Sequence, residues 1–198
     1  LRFGDLVVRG NERVRAARIR AIAGLPTGTV YDPEELDDAS ERLRRTGAFR
    51  AVSLNDAETV RAGDVLDIEA QLVEQEPRRI GGGAELSSTE GIGLTAFWMH
   101  RNLLGGAENL RFDLDIENIG STADDNGIDY FFTTTFVRPA TPITDMDLVF
   151  TLRLEREDEP GYTSTTGYLG GGVRYRFSDE LLWNSGLAYR FSEVEDAF

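Results

Sequence analysis

The chain contains no cysteine, no lysine and a single histidine, His100. Without cysteine there is no disulfide framework, no thiolate zinc site and no cysteine nucleophile. One histidine leaves no His-based triad and no His-rich metal site. All 21 basic residues are arginine, set against 35 acidic ones for a net charge of −14. So acidic a surface repels phosphate backbones and argues against nucleic-acid partners. Long hydrophobic runs are missing too. No stretch approaches the roughly 18 apolar residues of a membrane-spanning helix. That excludes a helical membrane protein but not a barrel, whose strands hide their apolar residues in alternation. There is no signal-peptide pattern, and both ends, Leu1-Arg-Phe-Gly-Asp5 and Val194-Glu-Asp-Ala-Phe198, read as the interior of a longer protein. The expectation is a fragment.

What is present falls into two grammars. Residues 1–78 are mixed. Leu6-Val-Val8 suggests a short strand ended by Gly10. Asn11 to Ala23 suggests a helix with Val14, Ala17, Ala21 and Ile22 inward and Ile19 fitting less well. A second helix is better marked, with Asp32 as N-cap, Pro33 at its first position and Glu35 at the capping-box position. Leu36, Ala39 and Leu43 give it an apolar stripe, and Gly47 stops it with a left-handed cap. Strands follow near Phe49–Leu54 and Val65–Val73, so the order is β-α-α-β-β, a small α+β module.

From Arg79 to Phe198 the helical signals vanish. Segments of alternating character take over, clearest in Leu110-Arg-Phe-Asp-Leu-Asp-Ile-Glu117. Period two places Leu110, Phe112, Leu114 and Ile116 on one face, and Arg111, Asp113, Asp115 and Glu117 on the other. Equivalent apolar faces are Ile80/Gly82/Ala84/Leu86, Ile92/Leu94/Ala96/Trp98, Tyr130/Phe132/Thr134/Phe136 and Leu148/Phe150/Leu152/Leu154. After a switch of parity come Leu169/Val173/Tyr175/Phe177 and Leu181/Trp183/Leu187/Tyr189/Phe191, making about seven strands. Acidic connectors at Ser87–Glu90, Ser121–Gly127, Glu155–Pro160 and Ser192–Asp196 alternate with tighter ones at Leu104–Gly106, Arg138–Pro142 and Ser178–Glu180. That alternation suits long outer loops and short periplasmic turns. Nine arginines against 20 acids put −11 of the charge beyond residue 78. Phe97, Trp98, Tyr130, Phe177, Trp183 and Phe191 suit interfacial girdles. Alternation alone leaves a soluble sandwich open beside a membrane barrel.

Enzymatic readings are poor, and no catalytic, cofactor or metal residue is assigned. His100 suits packing. Asp113, Asp115 and Glu117 suit a solvated face balanced by Arg111, Arg153, Arg174 and Arg176 better than a metal cluster. Gly170-Gly-Gly172 lacks the lysine and following helix of a phosphate loop and marks a strand of small side chains or a bend. Asp124-Asp-Asn-Gly127 lacks the spacing and terminal Glu of a calcium loop.

The order of parts carries a resemblance. The β-α-α-β-β module with Leu43-Arg-Arg-Thr-Gly-Ala-Phe-Arg-Ala-Val52, in which Gly47 and Phe49 are structural positions, resembles a POTRA domain. Behind it, Gly81-Gly-Gly-Ala-Glu-Leu-Ser-Ser-Thr-Glu-Gly91 and Trp98-Met-His-Arg-Asn-Leu-Leu-Gly-Gly-Ala-Glu-Asn-Leu110 resemble the first barrel hairpin of the outer-membrane assembly-factor superfamily. His100, Arg101, Asn102, Leu103 and Gly105 form its motif turn. Within the superfamily the TamA branch, of the translocation and assembly module, is the most similar. The resemblance implies an α+β POTRA domain at 1–78, the last of an array in the periplasm. The N-terminal part of an antiparallel transmembrane β-barrel would follow at 79–198. Earlier POTRA units, the later lumen-folded motif and the closing strand would lie outside the chain. It implies insertion of client outer-membrane proteins or autotransporters, with outer-membrane lipid and a TamB-like inner-membrane partner, and no cofactor. Clients would add to the strand edge at Ile80, Gly81, Gly82, Gly83 and Ala84, where glycines weaken pairing or accommodate a bend. The POTRA strand Val65–Val73 reads as ordinary sheet in preference to a second edge for strand addition. Arg111, Asp113, Asp115 and Glu117 would face the lumen. A BamA-type general assembly factor, a two-partner secretion transporter and a passive pore with a scaffold POTRA domain are the alternatives.

Overall fold

A computed structural model describes residues 1–122, 127–178 and 180–196. Asp124–Asn126 of the calcium-like loop, Asp179 and the terminal Ala197–Phe198 lie outside the described residues. The first half contains β1 (Arg2–Arg9), α1 (Ala16–Ala23), α2 (Pro33–Arg45), β2 (Phe49–Arg61) and β3 (Val65–Glu74). β3 lies at the centre of a three-stranded sheet, parallel to β1 and antiparallel to β2. The helices pack on that sheet around Phe3, Ile19, Ile22, Leu43 and Ile68, all buried. Each such side chain contributes about 1.5–3 kcal/mol through removal from water.

α2 starts and stops as its sequence dictates. Asp32 Oδ1 accepts the Glu34 N–H at 3.0 Å, Pro33 opens the helix, and Gly47 follows the C-cap at φ +67°. α1 begins later than its periodicity suggests. The N–H groups of Glu12, Arg13 and Val14 all donate to one oxygen of Glu74, at 2.9, 2.9 and 2.8 Å, which holds that segment out of the helix. The helix phase then turns Ile19, Ile22 and Ala23 inward and leaves Ala17 and Ala21 exposed, correcting the expected inner face. Val14 is buried as expected, but from the loop.

The second half is one antiparallel sheet of seven strands in sequential order. They are β4 (Arg78–Ser87), β5 (Gly91–Arg101), β6 (Asn109–Ile119), β7 (Asp129–Arg138), β8 (Met146–Glu159), β9 (Tyr162–Arg176) and β10 (Leu182–Asp196). The register joins the apolar sets into a single face. Ile80, Trp98, Phe112, Thr134, Leu152, Leu169 and Tyr189 stand in one row across all seven strands. The parity switch before β9 is what keeps Leu169 in that row. Much of this face is bare, with Leu187 at 89% and Ile80 at 80% exposure.

Two expectations change. The acidic stretches Glu155–Glu159 and Ser192–Asp196 are not loops; they extend β8 and β10, paired with Tyr162–Thr166. Alternation continues through them, so the ladder continues as well. The connectors nearest the small module, 102–108 and 139–145, are not the tightest either, since β8 turns into β9 through 160–161 alone. What sets them apart is contact, because both rest on the first-half module. Ala107 and Ala140 are counted in its core. No described helix is long and apolar enough to cross a membrane.

Candidate functional site

Among the described residues, β4 forms one edge of the seven-stranded sheet, with β5 as its single strand neighbour. Its residues Ile80–Ala84 therefore present one side of their backbone to a further strand, the geometry of strand addition. The glycines of this strand are packed against. A Cβ on Gly81 would lie 2.4 Å from the Phe97 ring, on Gly82 3.0 Å from the Thr95 carbonyl oxygen, and on Gly83 3.1 Å from Thr95 Oγ1. None of the three has positive φ, so it is close approach and not backbone freedom that requires glycine here.

Phe97 is not the girdle residue its place near a strand end suggests. Adjacent residues on a strand face opposite ways, so Phe97 and Trp98 cannot share a girdle. Trp98 joins the apolar face against Phe112, at a ring separation of 5.5 Å. Phe97 lies on the charged face, with the Arg111 guanidinium 4.4 Å and the Arg79 guanidinium 5.7 Å from its ring centre. Arg111 also pairs with Asp113 at 2.6 Å. Asp115 and Glu117 continue the same face, which further along carries the ion pairs Arg174–Asp147 at 2.9 Å and Arg153–Glu155 at 3.4 Å. The expected charged face is thus one surface, and it carries three arginine–carboxylate pairs.

The motif turn is shifted slightly. His100 and Arg101 end β5, with His100 beside Trp98 (5.9 Å) on the apolar face; the turn proper is 102–108. Arg101 ties it to the linker, its N–H donating to the Pro77 carbonyl (2.6 Å) and its Nη1 to that of Glu76 (3.2 Å). Asn102 Oδ1 accepts the Ala107 N–H at 3.0 Å, and Gly105, at φ +79°, offers its carbonyl to the Arg15 N–H at 3.0 Å. Leu103 is partly exposed. Arg18 on α1 reaches the other turn, donating to the Pro139 carbonyl at 2.5 Å. Burial, and next the neighbouring Arg138, hold the Arg18 guanidinium below its usual pKa, while Glu108 opposes that shift. Arg42 on α2 pairs with Asp145 at 2.9 Å.

In the small module Gly47 takes its left-handed cap and Phe49 is buried, as expected. Of the two readings of Val65–Val73, ordinary sheet holds and the second client edge falls away. β3 is the central strand, hydrogen-bonded on both sides, so its backbone is already paired. The edge strands of that sheet are β1, whose start is bridged to the 28–31 segment, and β2.

Comparison with known proteins agrees with this architecture. Residues 1–74 match the POTRA family, described as surface antigen variable number repeat. No curated protein sequence matches the chain. The fold is similar to that of BamA from Haemophilus ducreyi lacking POTRA domains 1–3 (TM-score 0.72, 18% identity, 98% of this chain and 36% of that one). It is similar also to CdiB from Acinetobacter baumannii (0.73, 12%, 98% and 38%) and CdiB from Escherichia coli (0.68, 16%, 98% and 38%). The chain thus spans little more than a third of those chains. It folds as a POTRA domain followed by seven strands matching part of such a barrel, unclosed among the residues described.

Proposed function

We propose that this chain is part of an outer-membrane assembly factor of the TamA type, with residues 1–78 in the periplasm and residues 79–198 within the membrane wall. The observation that carries this reading is the unbroken apolar face of the seven-stranded sheet, joined by its turns to the POTRA-matching module. A bare apolar face of that extent suits lipid, and the opposite face, with its many charged side chains, suits a wet lumen. The mechanism involves no covalent chemistry. An incoming client strand pairs with the edge of β4 at Ile80–Ala84, and insertion proceeds by exchange of strand edges, because unpaired backbone groups cannot stay unsatisfied in hydrocarbon. The clients are other outer-membrane proteins or autotransporters, and a TamB-like protein bridges to the inner membrane.

The test is site-specific photocrosslinking from Ile80, Gly82 and Ala84 in the whole protein during synthesis of an outer-membrane barrel. Adducts to the client's terminal strand are the expected result. Their absence, together with steady conductance in planar bilayers, would replace this reading with a passive pore.

A further inference from the structure

One carboxylate lies at the centre of the contact between the two sheets. Glu108 is fully buried. Its Oε2 accepts the N–H groups of Leu104 (3.1 Å) and Gly106 (2.9 Å) and so closes its own turn. Its Oε1 accepts no hydrogen bond and faces Arg138 Nε, at the end of β7, at 3.8 Å. Arg138 Nε and Arg18 Nε are likewise buried without hydrogen-bond partners. Gly106 brings the groups together, since a Cβ there would lie 2.4 Å from Glu108 Oε1 and 3.1 Å from Arg18 Nε. The outer nitrogens of Arg18 are engaged by the carbonyls of Pro139 and Ala140, at 2.5 and 3.4 Å. Three segments therefore meet through charge: a carboxylate from one turn, a guanidinium from the end of β7, and a guanidinium from α1.

The apolar contacts of Ala107 and Ala140 hold the modules together but have no direction. Glu108 is fully buried while the Arg138 side chain stays 38% exposed, so the cluster adds little net stability and instead favours the geometry that keeps the buried carboxylate compensated. We propose that Glu108, with Arg18 and Arg138, is a positioning centre that fixes the angle at which the POTRA module stands beneath the charged face of the strand sheet. That angle has a structural consequence. A cavity of about 340 Å³ lies at this junction, lined by Arg42 and Arg45 of α2 and by Asp147 and Arg174 of the charged face, so its shape depends on the angle.

This chain contains no cysteine, and any cysteine elsewhere in the whole protein is first replaced by serine. Cysteines placed at Glu58 on β2 and Ser88 in the far turn, both exposed, carry spin labels in the whole protein in lipid nanodiscs. Electron–electron double resonance then reads the distance distribution between the modules. Glu108→Gln keeps an oxygen for the two turn N–H groups but loses the charge; Arg18→Gln leaves the 102–108 turn untouched and removes the guanidinium together with its bonds to the Pro139 and Ala140 carbonyls. The expected result is one narrow distance for the native protein and a distribution broadened by roughly twofold in each variant, with no further broadening in the pair. Native widths in both would overturn the proposal. So would broadening in Glu108→Gln alone, since α1 would then take no part. If Glu108→Gln does not fold, Arg18→Gln decides alone, by broadening or by keeping the native width. The measurement needs no client, so its outcome is separable from the crosslinking result.

Discussion

At the scale of single residues, the small module is organised by side chains that claim backbone groups. Glu74, the last residue of β3, takes three successive N–H groups of the 12–14 segment. Glu74→Ala leaves all three without that partner and should destabilise the module by about 2 kcal/mol, read as a lowered urea midpoint. Gly47 was readable in advance because a left-handed position directly after an amphipathic helix calls for glycine. Gly47→Ala should cost about 1 kcal/mol, checked the same way. Tyr31 was not readable. Burial first, then its hydrogen bond to Asp56 at 3.0 Å, raises its phenol above the ordinary value of 10.0. A pKa raised on folding means that the contribution is whole below the unfolded value and is lost as pH climbs through the folded one. Stability should therefore fall more steeply above pH 10 in the native protein than in Tyr31→Phe, as followed by alkaline denaturation. Nothing near Tyr31 in sequence indicates Asp56, because only β2 brings that carboxylate to it.

At the scale of elements, strand alternation was legible and the start of α1 was not. Period two assigned the apolar face of every strand, and the parity switch before Leu169 appears in the register as it does in the sequence. The same rule separates Phe97 from Trp98, a distinction lost when aromatics are grouped by their nearness to strand ends. If the apolar face meets lipid, brominated acyl chains should quench Trp98 and Trp183 strongly, whereas Phe97→Trp should add a fluorophore that escapes quenching. Equal quenching of all three would contradict the assignment of faces. The glycines of β4 offer a second check. Gly81→Val would drive a side chain into the Phe97 ring and should slow barrel assembly, seen as a loss of heat-modifiable mobility in gels. Combining it with Phe97→Ala should restore much of that loss. α1 escaped the sequence reading because Val14, Ala17 and Ala21 do carry a helical period, yet three N–H groups ahead of the helix are held by a carboxylate sixty residues away.

At the scale of the whole molecule, the exposed apolar face sets the solvent. The chain should be monodisperse by light scattering only in detergent or lipid, and removing the detergent should produce self-association through that face and the two open edges. Monodispersity in plain buffer would point back to a soluble sandwich. The amino-acid sequence by itself determined the module order, the cap that ends α2, the strand count and the two unlike faces of the sheet, because capping and alternation are local rules written in neighbouring residues. It also excluded cysteine and histidine chemistry by composition. Only the tertiary structure decided that Val65–Val73 is a paired central strand, that Phe97 closes over Gly81, and that Glu108 meets Arg18 and Arg138 in a buried joint. The contact of Phe97 with Gly81 and those among Glu108, Arg18 and Arg138 join residues from 16 to 120 positions apart, and their partners are chosen by how strands and turns stack in space, which no local pattern records.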